Sequence, residues 1–289
     1  KKQDDILMQE KVRSKHREFG PASAAPGVFR QPEILAGTWR AAQARTDGIR
    51  EDEAREALTQ LDPLWDELMG RLHVWGLPSF HLDGVWPGVT DLAWVSLIIY
   101  LLAFDFLDYW IHRGQHSIGW WWKLHALHHS QRQMTVWSDN RNHLLDDVIR
   151  DTIIVLVAQF IGVAPGQFVA IVAFTQLSES FQHANLRVWF GTIGERLWIS
   201  PRFHRRHHAI GIGHEPMAPV RNKKAHGNNF GVLLPWWDML FGTANFELRF
   251  DPTGVRDQVQ PNAQGQLRDY GQGFWAQQWR GFLRLMGRA

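Results

Sequence analysis

The longest apolar run of the chain covers residues 89–111, and it is long enough for a helix that crosses a bilayer, which takes about 20 residues. Asp91, Asp105 and Asp108 interrupt it. Charges at membrane depth are costly unless they face a protein interior or an aqueous cavity, so these positions predict either inward-facing groups or a helix end emerging among headgroups. A second apolar region, 152–177, is divided by Gly162, Pro165 and Gly166 into two runs of roughly a dozen residues each, which suits a re-entrant helical hairpin or two tilted helices. Residues 1–88 are polar and charged, with a helix expected over 51–70 and broken at Pro63; they read as an aqueous or interfacial N-terminal region. In the tail, 246–289, the stretch 274–288 alternates aromatic or aliphatic residues with Gln and Arg, and either lies flat on a membrane or packs on the domain. Strand alternation is nowhere sustained. The pattern predicts an all-α chain with a membrane-embedded central domain over 89–245.

Composition sharpens this picture. Sixteen tryptophans are far more than a soluble domain of this size carries, and Trp is favoured where one end of a side chain is apolar and the other wet. Trp120, Trp121, Trp122, Trp236 and Trp237, with Trp94, Trp110, Trp189 and Trp198 beside apolar stretches, fit interfacial belts; a Trp-rich soluble core is the alternative. The formal charge of +2 and the scattered Lys and Arg give no stripe for nucleic acid. A mean hydropathy of −0.29 agrees with a small membrane part and a large aqueous one. The chain opens on Lys1-Lys2 without methionine, so upstream segments are expected and any count of spans is a minimum.

The chemistry lies in the histidines. Eight of the fifteen fall into three clusters, HRGQH at 112–116, HALHH at 125–129 and HRRHH at 204–208. On a helix, residues three and four apart share a face, so His112 pairs with His116, His125 with His128 and His129, and His204 with His207 and His208. Imidazole suits zinc, copper, iron and nickel, and a chain without cysteine cannot build thiolate sites. One first-row metal takes about four to six ligands, so eight clustered histidines exceed a mononuclear site and predict two metals. Asp105 and Asp108, at helical spacing before His112, are candidates to orient ligand imidazoles through their second nitrogens. Imidazole-bound iron with open positions suits O2 chemistry. A paired-zinc hydrolase remains an alternative, although such sites usually bridge their metals with carboxylates and none lies inside the clusters. A non-catalytic metal-binding membrane protein is the second alternative, although the clusters sit at the ends of apolar runs rather than at mid-membrane.

The ordered set DYWIHRGQH (108–116), LHALHHS (124–130), RNH (141–143), FQHANLR (181–187), SPRFHRRHH (200–208), NNFG (228–231) and WDMLFGT (237–243) resembles the fatty acid hydroxylase/sterol desaturase superfamily over roughly half the chain. That resemblance implies an integral, multi-pass, helical membrane enzyme with a cytosol-facing catalytic domain, in a bacterial inner membrane or the endoplasmic reticulum. It implies two iron ions, with zinc able to replace them in a purified sample. The reaction implied is O2-dependent hydroxylation or desaturation of an unactivated C–H bond in a membrane lipid, with electrons from a separate reductase. Carried over residue by residue, the implied metal ligands are His112, His116, His125, His128, His129, His204, His207 and His208, then His183. His226, just before NNFG, either completes the site or caps a loop. His143 departs from the family pattern because Leu144 stands where a proline is usual. Asn185 and Asn229 are expected to hydrogen-bond ligand histidines or a metal-bound water. Arg113, Arg205 and Arg206 are either solvated or turned toward headgroups or an electron donor.

Overall fold

The computed structural model describes residues 82–211 and 227–288; the helix expected over 51–70 and the loop with His214 and His226 lie outside them. The elements are α1 (Ala93–Ser117), α2 (Gly119–His129), α3 (Leu144–Phe160), α4 (Pro165–His183), the short α5 (Gly191–Gly194), α6 (Pro201–His207), α7 (Trp236–Phe241) and α8 (Phe274–Leu285), with single 3-10 turns at Leu82–Gly84, Ser138–Asn140 and Arg256–Gln258. No strand occurs among the described residues, only one isolated bridge between Ala209 and Thr253.

α1 is the one described helix long and apolar enough to cross a membrane. Its 25 residues span about 38 Å. It runs past the end of the apolar stretch, so its last turns carry His112 and His116. The region 152–177 forms two helices joined by a short turn and longer than their apolar cores, because α3 begins eight residues earlier, at Leu144, and α4 runs on to His183. Pro165 occupies the first turn of α4, where its missing N–H costs nothing, and it fixes the hairpin. Tyr100 of α1 locks that turn by donating toward the carbonyls of Ile161 and Gly162, both at 3.3 Å. Tyr100, Phe104, Ile111, Trp121, Ile154, Ala158, Val163 and Ile171 fill the core between α1, α2, α3 and α4.

The outward faces of these helices are also apolar. Trp94, Ile98, Phe106 and Trp110 are exposed on α1; Leu145, Val148, Leu156 and Phe160 on α3; Val169, Phe174 and Leu177 on α4. Trp120, Trp189, Trp198 and Trp236 are exposed as belt positions would be, whereas Trp121 is buried.

Asp105 and Asp108 correct an expectation. Among the described residues neither carboxylate has an imidazole partner. Asp105, fully buried, accepts from Leu233 N at 2.8 Å, Leu234 N at 3.2 Å and Trp237 Nε1 at 2.9 Å, so it clamps the segment leading into α7 onto α1. Asp108 pairs with Arg150 of α3 at 3.1 Å. Both do face the protein interior, which is how α1 tolerates them. Asp105→Ala strands three donors, each worth about 1 kcal/mol or more when buried unpaired, so the variant is expected to lose about 3 kcal/mol of stability. Asp105→Asn, which keeps one acceptor oxygen, loses less. Thermal unfolding in detergent measures both, and an unchanged midpoint for Asp105→Ala would show that the clamp carries nothing.

Candidate metal centre

Four elements deliver the histidines. α1 contributes His112 and His116, one turn apart; α2 contributes His125, His128 and His129; α4 ends on His183; α6 contributes His204 and His207, with His208 as its C-cap. α6 is only seven residues long and depends on its start: Ser200 caps it by accepting from Phe203 N at 3.1 Å, with Pro201 in the first turn. All nine imidazoles are buried.

They sort into two groups of four, His112, His116, His129 and His207 in one, His128, His183, His204 and His208 in the other, with candidate ligand atoms in each within 4.8 Å of one another. The sorting does not follow the sequence clusters. His128 and His129 are adjacent but point about 100° apart around α2, so each enters a different group, and His207 and His208 divide in the same way. The rings of His129 and His208 stack at 4.3 Å where the groups meet. His125 belongs to neither group, yet its ring lies 5.2 Å from His116, 5.0 Å from His129 and 5.3 Å from His128.

Hydrogen bonds fix which nitrogen faces inward. A carbonyl can only accept, so the Nδ1 atoms of His112, His183 and His207 donate to the carbonyls of Phe230 (2.8 Å), Glu179 (2.8 Å) and Asn228 (2.7 Å), leaving Nε2 as a lone pair. His125 Nδ1 donates to Asp146 at 2.9 Å, and its buried Nε2 has no hydrogen-bond partner. Burial, reinforced by neighbouring imidazoles, holds His128, His204 and His208 well below the usual imidazole range, so they too are neutral at pH 7.

The second group tests the fit of a metal. His183 Nε2 lies 3.1 Å from His128 Nε2 and 3.0 Å from His204 Nε2, and His204 Nε2 lies 3.1 Å from His208 Nε2. One lone pair on His183 cannot satisfy two facing nitrogens by hydrogen bonding. A shared cation can: nitrogens bound at about 2.1 Å and a right angle stand about 3.0 Å apart. The Nδ1 atoms of His128, His204 and His208 have no hydrogen-bond partner. The donor set therefore suits a metal in this group, and the first group has the same composition, with His116 Nε2 3.1 Å from His129 Nε2.

The supporting shell differs from expectation. Asp146, which sequence reasoning missed, accepts from His125, from Gln115 Nε2 at 2.8 Å and from Trp121 Nε1 at 2.7 Å. Its only trace in the sequence is an acid three residues after His143. His143 itself points away from the groups: it accepts from Leu145 N as the cap of α3 and donates to the carbonyl of Gln278 at 2.9 Å. Asn185 accepts from Arg205 at the surface. Asn229, at φ 57°, donates to the carbonyls of Phe203 and Asn245 and accepts from Asn245 N. It thereby holds the loop whose neighbouring carbonyls, Asn228 and Phe230, receive His207 and His112. Asp238 pins the same loop by accepting from Phe230 N and Gly231 N. Gly231 is required there, since an added Cβ would meet Ile199, the Leu234 carbonyl and Asp238 within 3 Å. Arg206 is fully buried against Glu247 and Asp251, which rules out solvation, and Arg205 stacks on Phe250 at 3.7 Å.

A cavity of about 450 Å³ lies between α1, α3 and α4, walled by Phe104, Ile154, Val155, Phe168, Ile171 and Val172. Asp108, Asp139, Asn142, Asp147, Arg150 and Glu179 line both this cavity and the smaller space that opens onto His112, His125, His128, His183 and His204.

Known proteins are similar to part of this chain. Ornithine lipid hydroxylase OlsE of Rhizobium tropici is 28% identical over 166 residues, 57% of this chain and 46% of that protein. Alkylglycerol monooxygenase of Caenorhabditis elegans is 28% identical over 58% of this chain and 32% of its own length, and methylsterol monooxygenase 1-3 of Arabidopsis thaliana is 22% identical over 61% and 58%. The chain thus spans from a third to somewhat over half the length of these relatives. No solved structure matches. The fatty acid hydroxylase family model matches residues 97–243, which begins in α1, ends just after α7 and takes in both histidine groups, so the chain belongs to the fatty acid hydroxylase family.

Proposed function

We propose that this chain is the catalytic part of a membrane-bound, O2-dependent lipid monooxygenase that holds two iron ions, one in each four-histidine group. The observation that carries the reading is the pairing of two all-nitrogen groups beside a cavity that joins a charged rim to a wall of Phe, Ile and Val side chains. When bound, the metal pair supplies O2 activation and redox equivalents, and the overall balance is RH + O2 + 2e⁻ + 2H⁺ giving ROH + H2O. A separate reductase supplies the electrons. Zinc occupies the same nitrogens when iron is scarce, since imidazole accepts both.

The protein's own contribution is to bind, orient and exclude. His112, His116, His129 and His207 hold one ion and His128, His183, His204 and His208 the other. His125, backed by Asp146, points a lone pair at the junction between them. The carbonyls of Phe230, Asn228 and Glu179 lock three imidazoles in the binding tautomer before any metal arrives, which lowers the ordering cost of binding. Phe104, Ile154, Phe168 and Ile171 exclude water from a hydrocarbon chain and leave its reactive carbon to be presented at the polar rim. The names of the relatives, which act on ornithine lipid, alkylglycerol and methylsterol, support a lipid with a polar end as substrate. The outward apolar stripes of α1, α3 and α4 support contact with lipid; the multi-pass arrangement, with the histidine-bearing end toward the cytoplasm, rests on the family resemblance.

Three outcomes are expected. Protein purified after iron-replete expression carries two irons per chain by elemental analysis; His207→Ala and His204→Ala each lower this to one or fewer, and stoichiometric zinc without iron would move the hydrolase reading ahead. Asp146→Asn, which leaves His125 without its carboxylate, weakens metal affinity about 10- to 100-fold in a chelator competition. Incubation with membranes, a reductant and ¹⁸O2 gives a lipid bearing the heavy oxygen; label entering from water instead of O2 would refute the monooxygenase reading.

A further inference from the structure

α8 is built inside out. On a helix at the surface of a water-soluble protein the apolar face packs inward and the polar face meets water. Here the polar side is the one that packs. Gln278 makes three hydrogen bonds to the segment before α3: its carbonyl accepts from His143 Nε2 at 2.9 Å, its Oε1 accepts from Leu144 N at 2.8 Å, and its Nε2 donates to the Asn142 carbonyl at 3.0 Å. Arg284, 2% exposed, donates to the Lys123 carbonyl of α2 and lies 4.4 Å over the Tyr270 ring. Gly281 lets the helix approach His143 so closely that any Cβ would collide with the imidazole. The face left outside carries Trp275, Trp279, Phe282 and Met286, exposed by 78%, 58%, 41% and 44% and spaced four, three and four residues apart.

We infer that α8 is an interfacial membrane anchor, lying along the bilayer surface with Trp275, Trp279, Phe282 and Met286 in the headgroup–acyl boundary. Two features select lipid as the occupant. The patch is continuous with the apolar exterior of the bundle, because Gln278 is bonded to Leu144 N, and Leu144, Leu145 and Val148 expose the outward stripe of α3 at that same point. Its chemistry is also that of an interface: the indoles of Trp275 and Trp279 lie on the exposed face, and the exposed Arg288 follows just beyond its end, while Arg280 is turned away from that face and pairs with Asp269 at 2.9 Å. The inference shares with the proposed function only the premise that the chain resides in a bilayer, and it needs neither metal nor turnover.

A chain without cysteine allows one reporter at a time. Trp275→Cys, Trp279→Cys and Met286→Cys, the last removing no aromatic ring, are spin-labelled in vesicles of phosphatidylcholine and phosphatidylglycerol, with Ala276→Cys off the apolar face and Ile98→Cys on the outside of α1 as references. The expected result is that labels at 275, 279 and 286 are relaxed more by O2 than by a water-soluble nickel chelate, while the label at 276 shows the reverse. Aqueous accessibility at 275, 279 and 286 with lipid accessibility at 98 overturns the anchor alone. Aqueous accessibility at all four overturns the membrane premise and the anchor with it. Low accessibility to both reagents at 275, 279 and 286 assigns the face to a protein partner or a second copy, and also overturns the inference.

Discussion

A buried imidazole has two nitrogens to satisfy, and the arrangement of this fold follows from how that demand is met. Where a carbonyl or carboxylate takes the N–H, the other nitrogen is forced to present a lone pair, and a lone pair in a dry interior needs an acid or a metal. Asn228 and Phe230 supply carbonyls from one loop, Glu179 a carbonyl from α4 and Asp146 a carboxylate from α3. The clamp of Asp105 on residues 233–237 and the pinning of residues 230–231 by Asp238 become intelligible in this light, because they hold the loop whose carbonyls set the tautomers.

Much of this was legible in the residues. The histidine spacing predicted the shared faces of α1, α2 and α6, and the count of eight predicted two metals; the structure has two groups of four that could each hold an ion, with His183 in place of the clustered His125. What spacing could not give was the partition. Residues one apart on a helix diverge by about 100°, so whether His128 and His129 serve one centre or two depends on where α6 lies across from them, a tertiary fact. Asp105 and Asp108 misled for a related reason: both share the helix with His112, but the groups they meet, the 233–237 segment and Arg150, come from far along the chain. Asp146 was invisible because nothing local distinguishes it from Asp147 beside it. His143 lay within a recognisable motif and proved to join α3 to α8 instead.

The site also has a depth. Asp146 lies in the first turn of α3, two residues after Leu144, so the histidine groups are level with the end of the hairpin rather than with its middle. The cavity extends from that level down between α1, α3 and α4, from a rim of carboxylates and Arg150 to walls of Phe, Ile and Val. A molecule with a polar end and a hydrocarbon body is oriented by such a gradient before any specific contact is made.

The split of adjacent histidines has a mechanical consequence. His128–His129 on α2 and His207–His208 on α6 are each joined by a single peptide bond, so neither group of four can be drawn tighter without turning a helix that also serves the other. The two groups are geared together through these peptide bonds: on the proposed reading, an ion held by one group would bias the helix rotation at which the other presents its imidazoles.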